Sequence, residues 1–364
     1  MDYAQERVAT LHDLEGHTPD APVDAAAVVV PLAEREHASL AAERTFDALA
    51  MLDPGRVVVP LRAAPDRVPA VREWLDTFEL PVELLWCGGE RLDGLLAQHG
   101  LDGDAGKGRD VWLALGVAAE AAEYVVCHDA DRRTYSTADV PRLLAPLADG
   151  FAFTKGYYAR VEDGRLYGRL CRLCYAPLVR TLAERHRAAV LDYLEAFRYA
   201  LAGEFGLSAG LARRLPVERR FGLEVGTLGG AFDHAGFDGT AQVDLGRYEH
   251  DHRSVHGPAG LADMATDVIA ALCRVVEHRG VAPEYATLAE RYRRTAETLL
   301  EQYAADAAAN GLRFDADEER AQVEAYADAI APPGADDRLP AWADAPLDPA
   351  EVREAATADL ESVS

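Results

Sequence analysis

Four short apolar runs constrain the fold before any single residue is considered. Residues 25–32 (AAAVVVPL), 56–61 (RVVVPL), 82–87 (VELLWC) and 124–128 (YVVCH) are dominated by aliphatic side chains. That is the pattern of strands buried on both faces. Between them lie stretches of helical periodicity: AEREHASLAAERTFDALAML, VPAVREWLDTFE and the amphipathic segment 107–123. Alternation of this kind predicts an α/β domain with a mostly parallel sheet covered on both faces by helices. Ligands in such folds bind beyond the carboxyl ends of the strands. The residues that follow each apolar run are therefore the ones to read for chemistry.

Further along, residues 180–215 read as helical, 216–256 as loop-rich with short strands, and 258–330 as helices. The segment after Ile330, APPGADDRLPAWADAPLDPAEVREAATADLESVS, is acidic and proline-rich and is expected to be a mobile tail with at most one short helix.

The net charge is −25, from 62 Asp and Glu against 37 Lys and Arg. Such a balance disfavours nucleic acid and anionic membranes as partners, since both attract basic surfaces. No apolar run reaches the roughly 18 residues of a membrane span, and the charged start MDYAQERVATLHDLEGH lacks a signal-peptide core. Five cysteines, an odd and loosely spaced set, suit reduced thiols. These features together lead us to expect a cytoplasmic protein. Lysine is nearly absent: only Lys107 and Lys155 occur, and the other 35 of the 37 basic residues are arginine. An acidic, lysine-poor chain resembles cytosolic proteins of salt-in halophiles. A lysine kept under that bias offers a compact point charge that arginine does not.

Four motifs could carry chemistry. His128-Asp129-Ala130-Asp131 follows the strand YVVC, and two carboxylates there can present oxygens to a hard cation; an Asp-rich turn capping the next helix fits the same letters. Gly106-Lys107-Gly108 lets backbone approach a ligand beside a positive charge, but it lacks the Walker spacing and also suits a flexible loop. His250-Asp251-His252, with Arg253 and His256 nearby, offers imidazole ligands or simply a polar loop. Glu224, in FGLEVG, could bind sugar hydroxyls or pair with Arg219 or Arg220. Cys171-x-x-Cys174 has no second cysteine pair and reads as helical core.

Taken in order, VVVPLAERE, GKGRDVW, HDADRR, TKGYYAR, GRLYGRLCRLCYAPLV, LAGEFG, FGLEVGTLGG and QVDLGRYEHDH resemble the glucosyl-3-phosphoglycerate synthases, a retaining GT-A glycosyltransferase family. The resemblance spans about residues 28–275. It implies a GT-A domain over 25–275, with a donor half (25–150) and an acceptor half (151–275). An N-terminal extension (1–24), a helical C-terminal region (276–330) and the tail (331–364) complete the chain.

The resemblance also implies roles. Pro31, Glu34, Lys107, Asp129, Leu201, Glu224 and Arg253 would bind the donor, a UDP- or GDP-hexose. Leu201 and Gly203 belong to a loop whose backbone lies beside the reacting centre. Asp129 and Asp131 would form the Asp-x-Asp pair, with Asp131 and His250 holding Mg2+ or Mn2+. Asp129, Asp131 and Glu224 would serve catalysis. Gly168, Arg169, Arg172 and His252 would bind a small acidic acceptor such as 3-phosphoglycerate, giving a glucosyl-phosphoglycerate, a compatible-solute precursor. A homodimer is the expected assembly.

The chain departs from the family pattern in places. Arg169-Leu170-Cys171-Arg172 lacks the family's threonine and adds a charge; His252 stands for an asparagine, and Tyr248 for an arginine; the second strand end is VVPLRAAPD. A transferase acting on a polyprenyl phosphate or another sugar, and a noncatalytic nucleotide-sugar-binding protein, are the competing readings. The charge pattern also makes a prediction of its own. Thermal unfolding followed across potassium chloride concentrations at neutral pH should show a steep loss of stability as salt is withdrawn, and full folding in low salt would contradict it.

Overall fold

The computed structural model describes residues 5–249 and 258–363. Ten strands form one sheet: β1 (Ala9–Leu11), β2 (Ala26–Val29), β3 (Leu32–Ala33), β4 (Arg56–Arg62), β5 (Val82–Trp86), β6 (Tyr124–Cys127), β7 (Phe153–Glu162), β8 (Arg165–Leu166), β9 (Phe205–Ser208) and β10 (Thr240–Tyr248). The four apolar runs become β2, β4, β5 and β6, side by side and parallel. Pro31 has no amide proton for the ladder, so the first run breaks there and resumes as β3 beside the end of β4. The sheet runs β1-β10-β7-β9-β6-β2-β4, with β5 also on β4 and β8 folded back on β7.

Two elements lie where the sequence pattern pointed elsewhere. β9 falls inside the stretch read as helical and inserts antiparallel between β6 and β7. Its four residues, FGLS, are too few to reveal a period. The helix Leu223–His234 lies in the stretch read as loop-rich. Its glycines disguise it, since glycine disfavours helix by about 1 kcal/mol relative to alanine. Here they allow close packing: a Cβ on Gly229 would sit 2.6 Å from Val275, and one on Gly222 2.7 Å from Ala271. Both partners lie on the helix Pro258–Glu277.

The helix Lys107–Ala121 is apolar nearly all round, and residues 108–119 are all buried. It packs on β2, β4 and β6 from one side. Its other side is closed by residues 339–362, which were expected to be mobile. Trp342 stacks on Trp112, ring centroids 4.1 Å apart. Each indole N–H also donates to backbone, Trp112 Nε1 to Pro340 O and Trp342 Nε1 to Trp112 O, both at 2.7 Å. Gly116 leaves the room, because a Cβ there would lie 2.3 Å from the Trp342 ring. The helix Pro349–Ser362 then lies on the helix Glu90–Gln98, whose first amides, Arg91 N and Leu92 N, donate to Asp359 at 3.0 Å. Composition marked this segment as a tail; two tryptophans and a remote helix cap make it a strap.

The N-terminal extension is likewise tied in, because β1 pairs parallel with β10 at the sheet edge. Helices Pro258–Glu277, Tyr285–Ala309 and Ala316–Asp328 form the expected helical region. Among the described residues no helix is long and apolar enough to cross a membrane.

Trp342→Ala should remove the stacked pair and destabilise the chain by about 3–5 kcal/mol. Urea titration of the two proteins would show it; an unchanged midpoint would mean that the strap bears no load.

Candidate active site

The chemistry-bearing segments converge beyond the carboxyl end of β6. That strand delivers Asp129 and Asp131, and the first turn of the helix Lys107–Ala121 delivers Lys107. The glycines flanking Lys107 do not form a phosphate cradle. A Cβ on Gly108 would lie 1.7 Å from Glu218 O, and one on Gly106 2.5 Å from Arg219 O. They let the helix start press against the chain at 218–219, where Arg109 N donates to Arg219 O at 3.0 Å. That contact aims Lys107 at two carboxylates. Its Nζ stands 2.7 Å from Asp129 Oδ1 and 3.2 Å from Glu224 Oε1. Glu224 comes from the first turn of the helix Leu223–His234, where the helix dipole favours an anion. Neither of the arginines offered as its local partners makes this contact.

The turn at 201–203 backs this bridge. A Cβ on Gly203 would lie 2.2 Å from Asp129 Oδ2, so only glycine lets the backbone pass there. Asp131 accepts from the Tyr248 hydroxyl at 3.0 Å, at the end of β10. One residue on, Glu249 O accepts from Arg133 N at 2.7 Å. His250, His252 and Arg253 lie outside the described residues, and the chain leads into them directly from these contacts with the Asp-x-Asp segment.

Negative charge is crowded here. Burial, then the charges of Asp131 and Asp129, push the Glu36 carboxyl up to about 6 against the pull of Ala33 N–H. Glu204 is fully buried, and neither of its oxygens has a hydrogen-bond partner among the described residues. Burial, then the Asp129 charge, raise it to about 7. The Asp129 carboxyl is raised too, by burial first, with Lys107 opposing and Asp131 adding to it. Burial works against the Lys107 charge, but Asp129 and Glu224 outweigh it and hold the ammonium well above its ordinary value. A set of oxygen donors with uncompensated charge suits a hard divalent cation. Among the described residues no group of three His, Cys, Asp or Glu side chains is arranged to hold one. His128 is wholly buried: burial, then Arg132, push it down to about 3, and it sits edge-on to Tyr135.

Pro31 and Glu34 sit at the ends of β2 and β3. Glu34 Oε2 accepts from Ala64 N at 2.8 Å, which ties the first strand-end loop to the second. In that second loop Arg62 is held by Asp110, at 2.6 Å.

The acceptor-side residues form a neighbouring group. Gly168 has φ +76°, and residues 170–175 form a short π-helix, a form found often at functional sites. Arg169 reaches Glu318 at 2.8 Å and Glu319 at 3.1 Å. Arg172 is held by Tyr167 O at 2.8 Å and by Glu319 at 3.1 Å. The added charge at Arg172 is thus matched by a carboxylate of the helix Ala316–Asp328. A cavity of about 320 Å³ opens between Arg165, Arg169, Arg313 and those acids. Cys171, where the family pattern has threonine, lies against the backbone amides of Leu201 and Ala200, joining this group to the turn beside Asp129. Cys171 and Cys174 are both buried and free.

The order of motifs in the sequence therefore nominated Lys107, Asp129, Glu224, Leu201 and Gly203, and the structure gathers them. It did not nominate Glu36, Glu204 or Lys155 as site residues. The two glutamates carry no spacing signal, and the scarcity of lysine was the one hint for Lys155.

The chain is similar to known proteins over most of its length. No protein-family model matches the chain. Among curated proteins, the glucosyl-3-phosphoglycerate synthase of Methanococcoides burtonii is 33% identical over 368 aligned positions, covering 93% of this chain and 90% of that protein. The one from Persephonella marina is 35% identical over 76% of this chain and 72% of its own length. Among solved structures, the glucosyl-3-phosphoglycerate synthase of Mycobacterium tuberculosis bound to Mn2+, UDP and phosphoglyceric acid superposes with a TM-score of 0.57 at 24% identity, covering 76% of this chain and 88% of that one. The same enzyme with Mn2+, UDP and glucosyl-3-phosphoglycerate gives 0.54 at 25% identity, over 71% and 81%. The fold is GT-A.

Glu204 provides a test of the crowding. Its folded pKa, about 7, lies above the ordinary glutamate value of 4.5, so the folded chain binds more protons between those values and stability falls as pH rises through them. Glu204→Gln should flatten that fall and stabilise the metal-free protein at pH 8 by on the order of 2 kcal/mol. Chemical denaturation at pH 5 and pH 8 would show it, and an equal or lower stability of the variant at pH 8 would refute the crowding.

Proposed function

The chain belongs to the glucosyl-3-phosphoglycerate synthase family, and from that premise we propose that it transfers glucose from UDP-glucose to the free hydroxyl of 3-phosphoglycerate with retention of anomeric configuration. The observation that carries the reading is the bridge from Lys107 to Glu224, 117 residues further along the chain, which also takes in the strand-end Asp129, next to Asp131.

In this reading Lys107 and Arg253 face the diphosphate. Asp129 and Glu224 hold the donor sugar, with the Leu201 backbone alongside, and Pro31 and Glu34 line the nucleotide end. Asp131 and His250 would hold Mg2+ or Mn2+, which when bound supplies positive charge to the departing diphosphate. Gly168, Arg169, Arg172 and His252 face the acceptor. An arginine fork suits a carboxylate or phosphate, and Arg169 is the more available of the two arginines, because Arg172 also grips two carbonyls. The acceptor oxygen bonds to the anomeric carbon as the bond from that carbon to the phosphate oxygen breaks on the same face. The acceptor's proton passes to the leaving phosphate. Lys107 stabilises the charge that develops there, an electrostatic role.

Solved structures of the Mycobacterium tuberculosis glucosyl-3-phosphoglycerate synthase are complexes with UDP-glucose and phosphoglyceric acid, and with UDP-glucose and glycerol 3-phosphate. They support the choice of donor and of a small acidic acceptor. The carboxylate crowding described above supports a cation, and its oxygen donors suit Mg2+ or Mn2+.

Asp131→Ala should reduce transfer from UDP-glucose to 3-phosphoglycerate by on the order of 1,000-fold, with unfolding temperature little changed. The assay pairs UDP- and GDP-glucose with 3-phosphoglycerate and with a polyprenyl phosphate, in high potassium salt, with and without Mn2+. Metal-dependent transfer retained in the variant would overturn the assignment of Asp131. Transfer only to the lipid phosphate would replace the acceptor, and donor binding without turnover would make the protein a binder.

A further inference from the structure

Of the two lysines in the chain, the reading above uses only Lys107. Lys155 lies on β7 and is 1% exposed. Its Nζ donates to Ala202 O at 2.5 Å and stands 5.6 Å over the Phe205 ring. A buried ammonium with one neutral hydrogen-bond partner is costly unless opposite charge lies close. Burial pulls its pKa down to about 8, and the carboxylates of Glu224 and Glu204 pull it back toward the charged form, while Lys107 opposes them. Almost everywhere else this chain uses arginine as its cation. A planar guanidinium is bulkier than an ammonium, and this position is closed on all sides.

The carbonyl that Lys155 grips belongs to a turn with a defined duty. Ala202 is followed by Gly203, whose backbone passes so close to Asp129 that a Cβ would lie 2.2 Å from Oδ2. Asp129 accepts from Lys107, and Lys107 reaches Glu224. β7 holds the turn at a second point as well, since Gly156 N donates to Glu204 O at 2.9 Å. A continuous line of contacts therefore runs from Lys155 through Ala202, Gly203, Asp129 and Lys107 to Glu224. Lys155 touches none of the groups assigned to donor or acceptor except through that line.

We propose that Lys155 is a positioning residue for the transfer step: its buried ammonium clamps the 202–203 turn against Asp129 and offsets the charge of Glu204 and Glu224, so that Asp129, Lys107 and Glu224 keep one arrangement. The words "transfer step" rest on the proposed function; the clamp rests on the geometry alone. A filler role in the core predicts something different, because a methionine of similar length would serve it equally well.

The scarcity of lysine makes the test direct. The full chain labelled with 13C,15N-lysine has two side-chain signals, and Lys155→Met identifies them by deleting one. The clamp predicts that the remaining Lys107 signal shifts in that variant, because its partner Asp129 has lost its backing. It also predicts a kcat lower by on the order of 100-fold, with KM for UDP-glucose changed by less than about threefold. Lys155→Gln, which keeps a donor for Ala202 O without the charge, should fall between the two proteins in kcat. A folded Lys155→Met protein with an unmoved Lys107 signal, or with wild-type kcat, overturns the proposal. Should that variant not fold, the wild-type spectrum decides. Ammonium protons at Lys155 protected from solvent exchange support the clamp, and rapidly exchanging ones overturn it. If the wild-type chain does not transfer glucose at all, the functional reading fails by itself, while the Lys107 signal still decides whether Lys155 sets the geometry.

Discussion

Repulsion between crowded carboxylates is the constraint around which this site is organised. Asp129, Asp131, Glu36 and Glu204 are brought together at the strand ends, and burial pushes up the carboxyls of Glu36, Asp129 and Glu204. A fold would ordinarily disperse such groups. This one retains them and supplies Lys107 from the first turn of a largely apolar helix, with a glycine on each side so that the turn can press against the neighbouring chain. Sites of chemistry are where such local conflict is tolerated, and the surrounding structure must over-determine it.

The over-determination is visible in the layers around the site. Below, the largely apolar helix Lys107–Ala121 anchors the lysine in the main core. At the side, β7 and β9 hold the turn that carries Ala202 and Gly203. Above, the short π-helix at 170–175 brings Cys171 against the same turn, so the groups facing donor and acceptor share one piece of backbone. The helix Ala316–Asp328 reaches in from the C-terminal region to pair with Arg169 and Arg172. In the proposed reading an acidic acceptor would compete with Glu318 and Glu319 for those guanidiniums.

The sequence made some of this legible, for physical reasons that can be named. The central parallel strands were plain because strands buried on both faces must be continuously apolar. β9 was hidden because four residues show no period, and the helix Leu223–His234 because its glycines serve close packing while lowering helix propensity. The strap at 339–362 was misread because proline and acid dominate its composition, whereas its order comes from Trp342, Leu339 and Asp359 meeting distant partners. At the site, the order of motifs identified Lys107, Asp129 and Glu224, but no one-dimensional pattern could tell that the lysine joins the other two. Glu204 was missed because a lone glutamate announces nothing until its burial is seen.

The interlocked Trp112 and Trp342 have a consequence for damage to the chain. Trp342 closes on Trp112 from 230 positions further along the sequence, so loss of residues 339–362 would bare an indole face and open the slot at Gly116. Proteolysis of the strap would therefore strip the helix that carries Lys107 while leaving every strand of the sheet in the chain.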